Sequence, residues 1–191
     1  MSGTWKQGFS GERIYLLTPE ATEIHFETIT HVLAHTPRFG GHLTQDYSVA
    51  AHSVHVAELM RERYGDDGAF LGLMHDAHEA YVGDMPTPLK NALGRKWRQL
   101  EKPWEHYIRE HFGVSQTPEL LAALKEADLQ ALTVERHTLL AHHVPWGDPF
   151  DSIPIKSSIR FTHWWGASAK LDFERAFARY SHRTLTNLPR V

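Results

Sequence analysis

The sequence predicts an all-α fold in a single domain, and three observations carry that expectation. Apolar residues recur at three- and four-residue spacing through most of the chain. The stretches between these stripes hold Pro, Gly and small polar residues, which end helices. Only residues 14–17 (IYLL) read as a strand. With 191 residues and 41% hydrophobic content, the chain suits one domain with a sizeable core.

Residues 1–19 read as an extended lead-in that stops at Thr18 and Pro19. The pattern Ile24, Ile29, Val32 and Leu33 predicts a helix over 20–35, with Thr18 as N-cap, Pro19 in its first turn and an end before Pro37. TPRFGGHLTQDYS is a loop, and it sets Arg38 and His42 between helices. A loop arginine is ordinarily solvated; it gains interest if neighbouring helices bring an anion to it.

Ser48 can cap the next helix, to about Tyr64, whose inward stripe is Val49, Ser53, Val56, Ala57 and Met60. His52 falls within the stripe and His55 off it, at the periphery. A lone inward histidine is more often a hydrogen-bonded core residue than a ligand. After a turn at 65–68 comes a further helix that Gly83 ends. On it His75 and Asp76 adjoin, and Glu79 comes round to about 40° from His75 at 100° per residue. The surrounding Leu71, Met74, Ala77, Ala80 and Val82 are apolar. Burying an unpaired carboxylate there is costly, so Asp76 wants a cation beside it, and a divalent metal ion is one candidate. The plainer reading is a pair that caps and solvates a helix end.

Pro86 and Pro88 stiffen the exit from this helix and hold Asp84 at its mouth. Leu89, Leu93, Trp97, Leu100, Trp104, Ile108 and Phe112 predict one long helix or two shorter ones around Pro103, with a core-facing aromatic stripe. The other face carries Lys90, Arg95, Lys96 and Arg98, a pattern that usually meets solvent. Thr117 and Pro118 open a helix to about His142 with the stripe Leu121, Leu124, Asp128, Leu132, Glu135 and Leu139. Asp128 stands where an aliphatic residue is expected, and an acid there needs a partner. Residues 143–165 are too rich in Pro and Gly for a helix. The last helix, about 166–181, turns Ala169, Phe173, Ala176, Phe177 and Tyr180 inward.

Composition narrows the chemistry. The chain has no cysteine, so disulfides and thiolate chemistry are excluded and any metal site is built from nitrogen and oxygen. Fifteen histidines against a formal charge of −3 favour metal chemistry over nucleic-acid binding, which wants a basic surplus, although many histidines are ordinarily surface residues. No apolar run approaches membrane-spanning length and the N-terminus lacks a secretory leader, so a soluble, cytoplasmic protein with no membrane partner is expected.

The inward polar residues His52, His75, Asp76 and Asp128 fall in the order H…HD…D on three helices. That order resembles the signature of the HD-domain metal-dependent phosphohydrolases. HDAHEAYVGDMPTPLK is similar to the HDxxE…GDxPTPxK stretch of the bacterial 5′-deoxynucleotidases. PRFGGH…YSVAAHSV resembles a branch of phage and bacterial HD proteins that includes dATP triphosphohydrolases. The likeness spans about residues 11–140. It implies an HD-domain helical bundle, with its core over about 20–142, usually dimeric, cleaving the phosphoester at the 5′ carbon of a nucleotide. It further implies His52, His75, Asp76 and Asp128 as ligands of a divalent ion (Mn, Co, Zn, Fe or Mg), Glu79 as acid/base and Asp84 as a second active-site acid. Arg38 then lies where relatives contact phosphate. His78 departs from the pattern, where a small residue is usual.

Further cations bear on the number of phosphates. Lys90 follows the Pro86 to Pro88 loop and Lys125 sits one turn before Asp128, so both are candidate phosphate contacts for a triphosphate. A different class of protein remains open: a histidine-rich helical module that binds metal or nucleotide without turnover. A nucleic-acid phosphodiesterase is disfavoured by the charge balance.

Overall fold

The computed structural model describes residues 5–155 and 165–181. A two-stranded antiparallel hairpin, β1 (Trp5–Gln7) and β2 (Arg13–Tyr15), pairs Lys6 with Ile14 and leads, among the described residues, into seven helices. These are α1 (Phe26–His35), α2 (Val49–Met74), α3 (Glu79–Val82), α4 (Thr87–Leu93), α5 (Arg95–Phe112), α6 (Pro118–Leu139) and α7 (Gly166–Tyr180). The described chain is all-α apart from the hairpin, as the spacing predicts. Among the described residues, no helix is long and apolar enough to cross a membrane.

Helix α2 is two arms. At Gly65 the backbone takes φ 60 and ψ −154, a left-handed conformation that suits glycine. There the chain folds back, so that a Cβ placed on Gly72 would lie 3.0 Å from Cα of Ala57. Arms 49–64 and 66–74 therefore run side by side in opposite directions, in contact where glycine meets alanine. This hairpin carries residues near 52 to residues near 75.

Ser48 caps the first arm by accepting from Ala51 N at 3.2 Å, and Thr117 caps α6 by accepting from Leu120 N at 3.2 Å. Every residue of the predicted α2 stripe is buried, as is the predicted inward face of α7. The core between α1, α2, α5 and α7 is aromatic. Phe177 lies 4.3 Å from Phe26, 5.5 Å from Phe70 and 5.7 Å from Phe112 by ring centroids.

Several boundaries differ from expectation. The helix expected from residue 20 begins at Phe26. Thr18 instead precedes a 3-10 turn, Pro19–Ala21, because Thr22 Oγ1 accepts from Tyr15 N at 2.9 Å and stays extended. The break in the 88–112 segment falls at Gly94, φ 56, while Pro103 sits inside α5 and forgoes one N–H bond. Leu89 and Leu93, expected in the core, are exposed because α4 buries none of its residues. Helix α6 ends at Leu139, three residues before the expected His142. His55, expected at the periphery, is buried. Part of the expected 143–165 loop, 156–164, lies outside the described residues.

Candidate metal centre

The second arm of α2 stops at Met74, and His75 and Asp76 lie in the turn beyond it, not on a continuous helix. Through this turn the backbone bonds tighten to three-residue spacing, from Ala77 N to Met74 O at 3.1 Å and from Glu79 N to Asp76 O at 2.9 Å. His75 Nδ1 lies 2.7 Å from the carbonyl oxygen of Gly72, which holds the ring and leaves Nε2 facing inward.

The hairpin brings His52 of the first arm to this turn, with its ring 5.3 Å from that of His75. His52 Nε2 lies 3.1 Å from Asp128 Oδ1 and 3.7 Å from Asp76 Oδ2, and His75 Nε2 lies 3.0 Å from Asp76 Oδ2. Yet both Nε2 atoms are buried without an aligned hydrogen bond. Ligand atoms of His52, His75 and Asp76 all fall within 4.8 Å of one another and can hold a metal ion. Two imidazole nitrogens converging with carboxylate oxygen fit a divalent first-row cation. Asp128 reaches the group through His52 from α6, and with its side chain 47% exposed it sits at the mouth.

The electrostatics favour positive charge here. Burial and Arg38 pull the His52 imidazole down, but Glu135 and Asp128 outweigh them and lift it to about 9. Burial likewise opposes ionisation of Asp76 and Asp128. His75 outweighs it at Asp76, holding that carboxyl well below its ordinary range, and His52 outweighs it at Asp128, lowering that one.

Glu79, at the start of α3, is buried, and its Oε2 has no hydrogen-bond partner. Burial, then repulsion from Asp76 and Asp84, pushes its carboxyl well above the ordinary range. Asp84 is half-buried and is raised by burial and by Asp76 against the pull of Arg38. Lys90 Nζ stands 3.8 Å from Glu79 and 2.6 Å from Glu101. Lys125 is exposed, as are Arg95, Lys96 and Arg98. His78 is buried with Nε2 3.9 Å from Glu101, on the Lys90 side of Glu79.

Arg38 lies in a 3-10 turn, Arg38–Gly41, and its loop is fixed where Arg38 N donates to Tyr47 O at 2.9 Å. The anion that draws it in is Glu135 of α6, at 3.1 Å. Glu135 is fully buried, and although burial disfavours its charge, His52 and Arg38 hold its carboxyl well below the ordinary range. Sequence reasoning placed Glu135 in the α6 stripe without giving it a task. The signal was present, since an acid two turns beyond Asp128 on the same face is the same anomaly.

No protein-family model matches the chain. It is 34% identical over 156 residues to the uncharacterized protein YfdR of Escherichia coli (strain K12), covering 77% of this chain and 84% of that protein. It is also 37% identical over 139 residues to the uncharacterized protein RCAP_rcc00048 of Rhodobacter capsulatus, covering 70% of each.

Proposed function

We propose that this chain, which belongs to the family of the Escherichia coli protein YfdR, is an HD-type metal-dependent phosphohydrolase that cleaves the 5′ phosphoester of (deoxy)nucleotides. The observation that carries the reading is the pairing of two kinds of group in one place. Unaligned, buried Nε2 atoms of His52 and His75 converge with Asp76, and beside them stands a buried carboxyl, Glu79, whose Oε2 is unpartnered. A purely structural metal site has no task for Glu79.

His52, His75, Asp76 and Asp128 would hold the ion. A divalent ion in such a site acts as a Lewis acid on phosphoryl oxygen and lowers the pKa of coordinated water, from 15.7 to about 7 in the zinc case. The chain's own residues do the rest. Arg38 meets charge gathering on the phosphoryl oxygens, and its pairing with Glu135 aims the guanidinium. As water oxygen bonds to the α-phosphorus and gives up a proton to solvent, the bond to the 5′ oxygen breaks. Glu79, kept protonated by burial, gives its proton to that departing oxygen. Lys90 reaches both Glu79 and Glu101 from the mouth of this acid.

Phosphate number follows from cation placement. Lys90 and Lys125 as contacts for two further phosphates favour triphosphate hydrolysis beside monophosphate hydrolysis, and a homodimer belongs to the same reading. The test is protein reconstituted with Mn, Co, Zn, Fe or Mg and offered mono-, di- and triphosphate nucleotides, with products identified. Release of inorganic triphosphate, together with a KM for triphosphates that rises selectively in Lys90→Ala and Lys125→Ala, supports the triphosphate reading. Orthophosphate alone returns it to a 5′-nucleotidase. Tight nucleotide binding without turnover under every metal would replace it with the non-catalytic module.

A further inference from the structure

Glu135 divides its two oxygens between two functional side chains. Oε1 lies 2.6 Å from Nδ1 of His52, and Oε2 lies 3.1 Å from Nη2 of Arg38. The carboxylate is wholly buried on α6, seven residues after Asp128 and so on the same helical face. An ionised carboxylate only accepts hydrogen bonds, and a neutral imidazole carries hydrogen on one nitrogen alone. When the ring is neutral, as it has to be to bind a cation, the nitrogen that faces Glu135 must therefore be N–H, and the other is left as the lone pair. Nε2 is the atom that faces Asp76 and Asp128. Arg38 cannot give up its charge, and its planar fork takes its direction from the same carboxylate.

We propose that Glu135 is a positioning residue that joins the two halves of the site. One oxygen fixes His52 in the Nδ1–H tautomer and presents Nε2 to a divalent ion; the other aims Arg38 at the substrate's phosphoryl anion. The inference rests on the metal-dependent reading above and adds a link to it: affinity for cation and for anion falls together when Glu135 is changed. Glu135→Gln keeps the shape and breaks this link in either orientation. With the amide oxygen toward His52, the NH2 group meets Arg38, donor against donor. With the amide reversed, NH2 faces Nδ1 and favours hydrogen on Nε2, where the lone pair is needed.

Two measurements test it. On the wild-type protein loaded with Zn2+, long-range proton–nitrogen spectra are expected to show His52 as Nδ1–H. By calorimetry, Glu135→Gln is expected to bind Co2+ about 10- to 100-fold more weakly than wild type. At saturating Co2+ the variant should also bind inorganic phosphate more weakly. A bare Nδ1 on His52, or wild-type affinities for both probes in Glu135→Gln, would overturn the proposal, and so would a loss of cation affinity with phosphate binding unchanged. If the variant fails to fold, the wild-type spectrum decides alone. Wild-type protein that takes up neither Zn2+ nor Co2+ overturns the metal reading itself, an outcome visible before any variant is compared.

Discussion

The two ends of the α2 hairpin live by different rules. At the end near α7, Phe26, Phe70, Phe112, Phe173 and Phe177 pack ring against ring. At the other, His52, His75, Asp76, Asp128, Glu135 and Arg38 are tied by charge. Apolar contact is non-directional, so the first end needs the right volume and little else. In the second, a buried charge is tolerated only with its own partner, so each residue names the next. Stability should therefore reside at the aromatic end and chemistry at the polar one.

The largest expected effect is at the aromatic end. Phe177→Ala removes a fully buried ring and should cost about 3 to 5 kcal/mol, or roughly 10 °C in Tm. The folded fraction should keep its Co2+ affinity, and calorimetry on that fraction checks the independence of the two ends. Loss of affinity in a still-folded variant would show that they are one cooperative unit.

His55 sharpens the boundary, because it is a buried histidine three residues from the site but outside its ligand group. Burial, with a smaller push from His52, takes its imidazole down to about 4 against the pull of Glu135. Below about 6.5 the unfolded chain takes up a proton that the folded chain refuses. Stability should thus fall as pH drops from about 6.5 to about 4, by about 3 kcal/mol from this group. Urea unfolding of wild type against His55→Gln should show a flatter pH profile in the variant across that window.

Glu79→Gln should leave fold and cation affinity intact while turnover drops about 10²-fold, since the amide keeps the shape and has no proton to give. Metal analysis beside turnover separates this from a ligand role: cation loss in step with activity would make Glu79 a ligand.

Gly72→Ala should cost about 1 to 3 kcal/mol. Its Cβ would meet Val56 O and Ala57 Cα at 3.0 Å and prise the arms apart. Because Gly72 O also holds His75, the same change should weaken Co2+ binding. A drop in Tm with unaltered Co2+ affinity would uncouple arm spacing from the site.

What could be read from the chain was whatever depends on near neighbours. The Ser48 and Thr117 caps, the stripe holding His52 and the inward face of α7 follow from a helix's own period, and Asp128 betrayed itself as an acid among aliphatic residues. The misreadings share a cause. His55 looked peripheral because its own arm leaves it off the stripe, but in the fold it is buried within the field of Glu135 from α6. Leu89 and Leu93 kept the helical period of α5, yet Gly94 cuts them off into α4, which buries nothing. Glu135 and Arg38 are 97 residues apart, and no local pattern pairs a loop arginine with a helix acid. The all-α architecture and the inward place of His52 were thus legible in the sequence alone, because helical periodicity is a local property. Which carboxylate holds which nitrogen was decided only by the fold at Gly65 and the docking of α6, because a partner for a buried charge is chosen by distance in space.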